Sequence, residues 1–256
     1  IYIEDQAKDT LLYAQNLDVS LSPWEFIKSG KISITGVDIE DFIINVNQKD
    51  SVSDFNFQFI IDAFSSTDTT QVDTTKSSLV VVIEDINLRN GKLNYDILSD
   101  SLTPGTFNAS HISLYDVNIN LDLNSIDTDK FDIALNSLAA KERSGVEIKN
   151  LKGQFYSDKD QLWVDRLSLN LPNSHLITNN ARYNLATDEF EITTEDTEIE
   201  PADLIAFLPN LKFLTNRIGL NTNIKGTLPE INIQSLNLTY GEDSYLAGNA
   251  RLASYE

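Results

Sequence analysis

Apolar and polar residues alternate with a period of two along most of the chain. The alternation runs through residues 31–46, 80–88, 93–97, 111–123, 131–135, 146–155, 162–171, 221–224 and 231–240. This period predicts half-buried β-strands. Strand–helix alternation is missing, so the prediction is an all-β chain with a long, curved, mostly antiparallel sheet. Asn90-Gly91 separates two of the runs and predicts a hairpin turn. Thr103-Pro104-Gly105 and residues 157–161 predict further turns.

A phase change recurs within the alternation, with the form apolar-x-apolar-x-x-apolar-x-apolar. Its copies are Ile32/Ile34/Val37/Ile39, Val81/Ile83/Ile86/Leu88, Ile112/Leu114/Val117/Ile119, Leu162/Val164/Leu167/Leu169 and Ile231/Ile233/Leu236/Leu238. The skipped pairs are Thr35-Gly36, Glu84-Asp85, Tyr115-Asp116, Asp165-Arg166 and Gln234-Ser235. In a regular strand a one-residue slip would send the second half of each copy to the opposite face. A β-bulge restores the facing and bends the strand. A turn between two short strands would produce the same pattern, but five copies favour a sheet built to curve.

Helical signals are few. Ser22-Pro23-Trp24-Glu25 supplies an N-cap, a proline at the first helical position and a capping-box glutamate. In residues 55–64, Phe57, Ile60, Ile61 and Phe64 share a helical face after Ser53-Asp54. Glu200-Pro201 opens a third segment over residues 202–208, stopped by Pro209. Residues 65–78, rich in Ser, Thr and Asp, read as a mobile polar loop.

Composition narrows the chemistry. The formal charge of −20 repels phosphate backbones and argues against nucleic-acid binding. Cysteine is absent, which removes disulfides and thiolate catalysis. His111 and His175 are the two histidines, expected at a strand start and in a turn without a catalytic role. The acidic groups at 4–5 and 195–200 read as solvated faces or helix N-terminal charge. Neither carries the regular spacing of a Ca²⁺ loop. Trp163 alternates against Leu162 and Val164, so it belongs to the opposite face. The expectation is a non-enzymatic chain without metal or cofactor.

Several segments, in order, resemble the TamB and AsmA-like family. They are residues 9–14 with Leu17-Asp18-Val19, the Trp24-Glu25 helix, residues 32–39 and the aromatic stretch 54–64. Residues 144–148, Leu167-Ser168-Leu169, Pro172-Asn173-Ser174 and Ala202-Asp203-Leu204 continue the likeness. The resemblance implies a long sheet folded lengthwise into a taco-like groove lined with apolar side chains. It makes residues 1–256 a single continuous groove segment of a longer protein. That protein would sit in the periplasm of a Gram-negative bacterium, anchored to the inner membrane by a segment outside this chain. Its implied partners are phospholipid acyl chains and an outer-membrane protein of the BamA superfamily, TamA or a relative. The implied roles are lipid transfer and support of outer-membrane assembly.

The aliphatic pattern suits that role. Each such side chain left in water forgoes about 1.5–3 kcal/mol, so the face needs a cover. An acyl chain can provide one, gaining about 0.8 kcal/mol per methylene. The expected groove lining is Ile32, Ile34, Val37, Ile39, Val81, Ile83, Ile112, Leu114, Val117, Ile119, Leu162, Val164, Leu167, Leu169, Ile231 and Ile233. Two other readings fit a β-rich chain. One is a structural or adhesive β-sandwich or solenoid with a closed core. The other is a carbohydrate-active protein with convergent carboxylates and an exposed aromatic in a polar cleft.

Overall fold

The alternating runs form thirteen strands in one sheet, arranged in chain order from β1 to β13. The structure, a computed structural model, describes residues 1–29, 34–60, 83–127 and 130–253. The strands are β1 (Tyr2–Glu4), β2 (Thr10–Leu21), β3 (Ile34–Gln48), β4 (Ile83–Ile97), β5 (His111–Asp127), β6 (Lys130–Glu142) and β7 (Glu147–Asp158). They continue as β8 (Gln161–Asn170), β9 (His175–Asn184), β10 (Phe190–Ile199), β11 (Ile218–Thr227), β12 (Glu230–Tyr240) and β13 (Ser244–Ala253). The all-β, mostly antiparallel class expected from the period is the one observed. Two compact units divide the chain: Ile1–Ile119 with Lys141–Ser144, and Asn120–Ala140 with Gly145–Glu256.

The phase changes at Thr35-Gly36, Asp165-Arg166 and Gln234-Ser235 are bulges against a neighbouring strand. Thr35 is skipped where Ser20 pairs with Gly36 and Leu21 with Ile34. Gln234 is skipped where Asn223 pairs with Ser235 and Ile224 with Ile233. Asp116 and Arg166, each the second residue of a skipped pair, have φ of 54° and 50°. Glu84-Asp85 lies beside Thr35-Gly36 in the neighbouring parallel strand, where Ile34 pairs with Ile83 and Gly36 with Asp85.

Two features depart from the expected plan. Asn90-Gly91 is not a hairpin turn, because β4 runs straight through it. Asn90 takes φ of 53° beside Asp41, also at 53°, in β3. A tight turn and a local kink within a strand can both use a left-handed residue, and Asn-Gly supplies it to either. The second departure is that β3 and β4 pair in parallel, while every other pairing of described register is antiparallel. Like side chains then meet at equivalent positions. Asn94 donates to Asn45 at 2.8 Å, and Asn87 donates to Asp38 at 2.8 Å.

The expected turns at 103–105 and 157–161 are present, the latter joining β7 to β8 with Lys159 at φ of 53°. Helix α1 (Pro23–Ser29) follows Ser22 as expected. Helix α2 (Pro201–Leu204) is shorter than the expected 202–208, and a 3-10 turn at Pro209–Leu211 follows it. Phe55 does not join a helix. It bridges Gln48 and stacks on Phe57 at 5.0 Å, and helical backbone begins at residue 58. The expected polar loop at 65–78 lies outside the described residues.

Candidate functional site: a one-sided aliphatic face

Directly opposed residues of antiparallel strands project to the same side of a sheet. In the second unit the pairings therefore trace rows across the strands. One row runs Ser157, Leu162, Tyr183, Phe190, Gly226, Ile231, Leu252. The next runs Phe155, Val164, Ala181, Ile192, Ile224, Ile233, Ala250. Beyond them Leu167, Thr178, Thr194, Thr222, Leu236 and Gly248 form a third. Strand β10 keeps strict alternation from Ile192 to Thr194, yet its β9 partners are Ala181 and Thr178, three residues apart. The bulges therefore keep Val164 and Leu167 on one face, as they keep Ile233 and Leu236. Leu169 also falls on this face, opposite Leu151 and Leu176.

The reverse face is polar. Tyr156, Trp163, Arg182, Glu191, Lys225, Asn232 and Arg251 occupy its first row. Trp163 stacks on Tyr156 at 5.2 Å, on the side opposite Leu162 and Val164 as the alternation predicts. A recess of about 640 Å³ at the ends of β8–β12 is lined by Arg182, Tyr183, Glu189, Glu191, Lys225 and Glu230, among others. Arg251 lies 2.8 Å from Glu230 and, with its hydrogen bond, holds that carboxyl below the usual range.

In the first unit β2, β3 and β4 form three corresponding sets. Leu17 pairs with Ile39 and Ile39 with Leu88, while Val19 pairs with Val37 and Val37 with Ile86. Leu21 pairs with Ile34, whose β4 partner is Ile83. Ile32 and Val81 lie outside the described residues. Ile112, Leu114 and Ile119 of β5 are half-buried. Val117 is not a groove-type residue, since it is 1% exposed and enclosed by protein. Ile34, Val37, Ile39, Leu162, Val164, Leu167, Leu169, Ile231 and Ile233 are all half-buried.

Sequence reasoning missed the polar groups that hold the bulges. Thr178, Thr194, Thr197 and Thr222 are buried on or beside the third row. Their hydroxyls replace ladder bonds lost at the bulges. Ile177 N–H donates to Thr197 Oγ1 and Thr222 N–H to Thr194 Oγ1, each at 3.2 Å. Thr178 donates to the Thr193 carbonyl at 2.9 Å and Thr222 to the Ser235 carbonyl at 2.7 Å. Threonine counts as polar in a periodicity scan, which is why β9 and β10 show no clean alternation.

Three titratable groups are more enclosed than the sequence suggested. His111 is 8% exposed and is not a surface residue. Its Nδ1 lies 2.8 Å from Asp96 Oδ1 and its Nε2 lies 3.0 Å from the Asp100 carbonyl. Both neighbours accept, so the ring is held as a double donor, and the Asp96 bond raises its pKa first among the causes. Asp5 accepts from the Ala7 and Asp9 amides and from Asn56. Glu142 accepts from the Ser113 and Ser144 amides. Burial pushes both carboxyls up, but these hydrogen bonds outweigh it and leave each below its ordinary pKa.

No family model, curated protein or solved structure matches the chain. Among the described residues no helix is long and apolar enough to cross a membrane.

Proposed function

We propose that the chain is a lipid-shielding segment of a TamB-like envelope scaffold, with acyl chains lying along its aliphatic face. The observation that supports this most is the one-sidedness of the second unit. Successive strands from β8 to β13 send mostly aliphatic, aromatic, small or threonine side chains to one side and most of their charged and amide side chains to the other. Outside the sheet, the described part of that unit offers a four-residue helix and a 3-10 turn as further regular elements. Leu246 and Leu252 are 57% and 54% exposed, and Val164, Leu169, Leu220 and Leu238 are half-buried. Contiguous apolar surface of this kind commonly marks a binding site.

The face asks nothing of its ligand except apolarity. A phospholipid's two acyl chains lose roughly 20 kcal/mol on entering bare water, and a continuous apolar track removes that barrier without catalysis. The reading is non-enzymatic. On the resemblance, it extends to a periplasmic scaffold that meets a BamA-superfamily protein at the outer membrane.

A photo-crosslinking residue at position 164 or 238 should capture phospholipid from vesicles, and one at position 165, on the polar side, should not. Native mass spectrometry of the gently purified chain should show bound lipid. Equal labelling at 164 and 165, with no bound lipid, would leave the closed-core sandwich as the better reading.

A further inference from the structure

The two faces of the second unit meet at one end of β8–β12. The turn between β9 and β10 (residues 185–189) and the turn between β11 and β12 (residues 228–229) border the recess of about 640 Å³ found there. Its lining draws on both faces. Tyr183, Phe190 and Gly226 belong to the first aliphatic row, and Arg182, Glu191 and Lys225 to the first polar row. Leu185 and Leu228, in the bordering turns, are 52% and 82% exposed. Turns ordinarily carry polar residues, so these two extend apolar surface beyond the strand ends.

The polar lining is ordered by charge. Cross-strand pairing sets Glu191 of β10 directly between Arg182 of β9 and Lys225 of β11. Glu191 is half-buried, while the two longer cationic side chains are exposed on either side of it. Among the described residues none of the three closes an ion pair. Arg182 donates its Nε to Asn180 at 3.1 Å, and its terminal guanidinium nitrogens are uncommitted. The other acids of the recess are engaged, Glu189 by the Thr187 hydroxyl at 3.2 Å and Glu230 by Arg251 at 2.8 Å. An anion alone would meet Glu191, and a cation alone would meet Arg182 and Lys225. A zwitterion complements all three.

Resting on the lipid reading above, we infer that the recess seats the headgroup of a phosphoethanolamine lipid. Its primary ammonium sits on Glu191 at the floor, and its phosphate lies above, between Arg182 and Lys225. The glycerol then leads over the strand ends to the aliphatic face. A quaternary ammonium has no N–H to donate, so the site discriminates phosphoethanolamine from phosphocholine at equal net charge.

The soluble fragment glycerophosphoethanolamine probes the site without acyl chains. Titrated into the full chain, it should give saturable NMR shifts at Arg182, Glu191 and Lys225. Glycerophosphocholine and free ethanolamine should each bind about tenfold more weakly, the effect of losing one charge-assisted contact. Glu191→Gln should remove the distinction between the two glycerophosphodiesters, and Arg182→Met with Lys225→Met should remove binding of both. In vesicles with identical acyl chains, crosslinking from position 164 should favour phosphoethanolamine lipid over phosphocholine lipid, and Glu191→Gln should make the yields equal. The comparison of ligands on the unsubstituted chain remains decisive if a variant fails to fold. Equal crosslinking of both lipids, or no shift with millimolar glycerophosphoethanolamine, overturns the headgroup site and leaves the acyl-chain reading standing. No crosslinking from any vesicle overturns that reading, and this site with it.

Discussion

The ring of Phe42 in β3 lies directly over the α-carbon of Gly91 in β4, in the space a side chain at Gly91 would need. The parallel register sets the two opposite each other, since Glu40 pairs with Arg89 and Ile43 with Lys92. Phe42 is 1% exposed and is among the few buried apolar side chains of the described residues. With so little closed core, this contact carries an unusual share of the first unit's packing. Gly91→Ala should destabilise that unit by about 1–3 kcal/mol, the usual cost of overpacking. Phe42→Ala should cost about 3–5 kcal/mol. The double variant should lose less than the sum, because the small residue at 42 makes room for the methyl group. Urea melts of the four proteins test this, and strict additivity would contradict the contact.

Val117 and Leu167 belong to the same sequence pattern but have different surroundings. Val117→Asp buries a charge within the first unit and should abolish its folded signal. Leu167→Asp puts the charge on a half-buried face with access to water, so the chain should stay folded while lipid crosslinking from position 164 falls. Circular dichroism and the crosslinking yield read the two outcomes, and unfolding by both variants would point to a closed core.

The buried threonine hydroxyls should behave as backbone substitutes. Thr197→Val and Thr194→Val preserve shape but orphan the amides of Ile177 and Thr222, and each should cost about 1–3 kcal/mol. An exposed threonine such as Thr187, changed the same way, should be nearly neutral. Equal effects at the buried and exposed positions would show that the hydroxyls carry no ladder function.

His111 makes the first unit sensitive to alkali. Its pKa is raised in the fold, chiefly by the Asp96 bond. Its stabilisation is therefore complete below its unfolded pKa of about 6.5 and is lost as pH rises through the higher folded value. Asp96 on β4 and Arg143 beside the His111 carbonyl are the charged groups facing it, and Arg143 opposes the shift. His111→Gln should flatten the pH dependence of melting across this interval. An unchanged slope, or an imidazole titrating below 6.5 by NMR, would contradict the double-donor geometry.

Glu142 and Asp5 govern the acid side. Their depressed pKa values stabilise the fold above the unfolded carboxyl range, and that stability is lost as pH falls through the folded values. Glu142→Gln can still accept from one amide but not from both the Ser113 and Ser144 amides as a carboxylate does. It should shift the acid unfolding midpoint of the first unit to higher pH, and a midpoint identical to the parent would remove Glu142 from that role.

Much of the sheet is legible in the chain because a strand with one apolar face must alternate, and a bulge must interrupt the alternation by one residue. Ile34 and Val37, Val164 and Leu167, and Ile233 and Leu236 each carry that interruption in plain view. The one-sided aliphatic face of the second unit follows from the same arithmetic. Other features depend on partners distant in sequence. Thr178 and Thr194 look like solvent-facing positions until neighbouring strands bury them against carbonyls and amides at the bulges. Asn90-Gly91 suits a turn or a left-handed residue within a strand equally, and in the fold it lies inside β4 with Phe42 of the parallel neighbour β3 over Gly91. Val117 and Val164 are equivalent by pattern, and only their three-dimensional neighbours make one closed core and leave the other on a half-open face. Alternation along a chain records which side a residue takes, whereas burial and hydrogen bonding depend on what arrives from elsewhere in the fold.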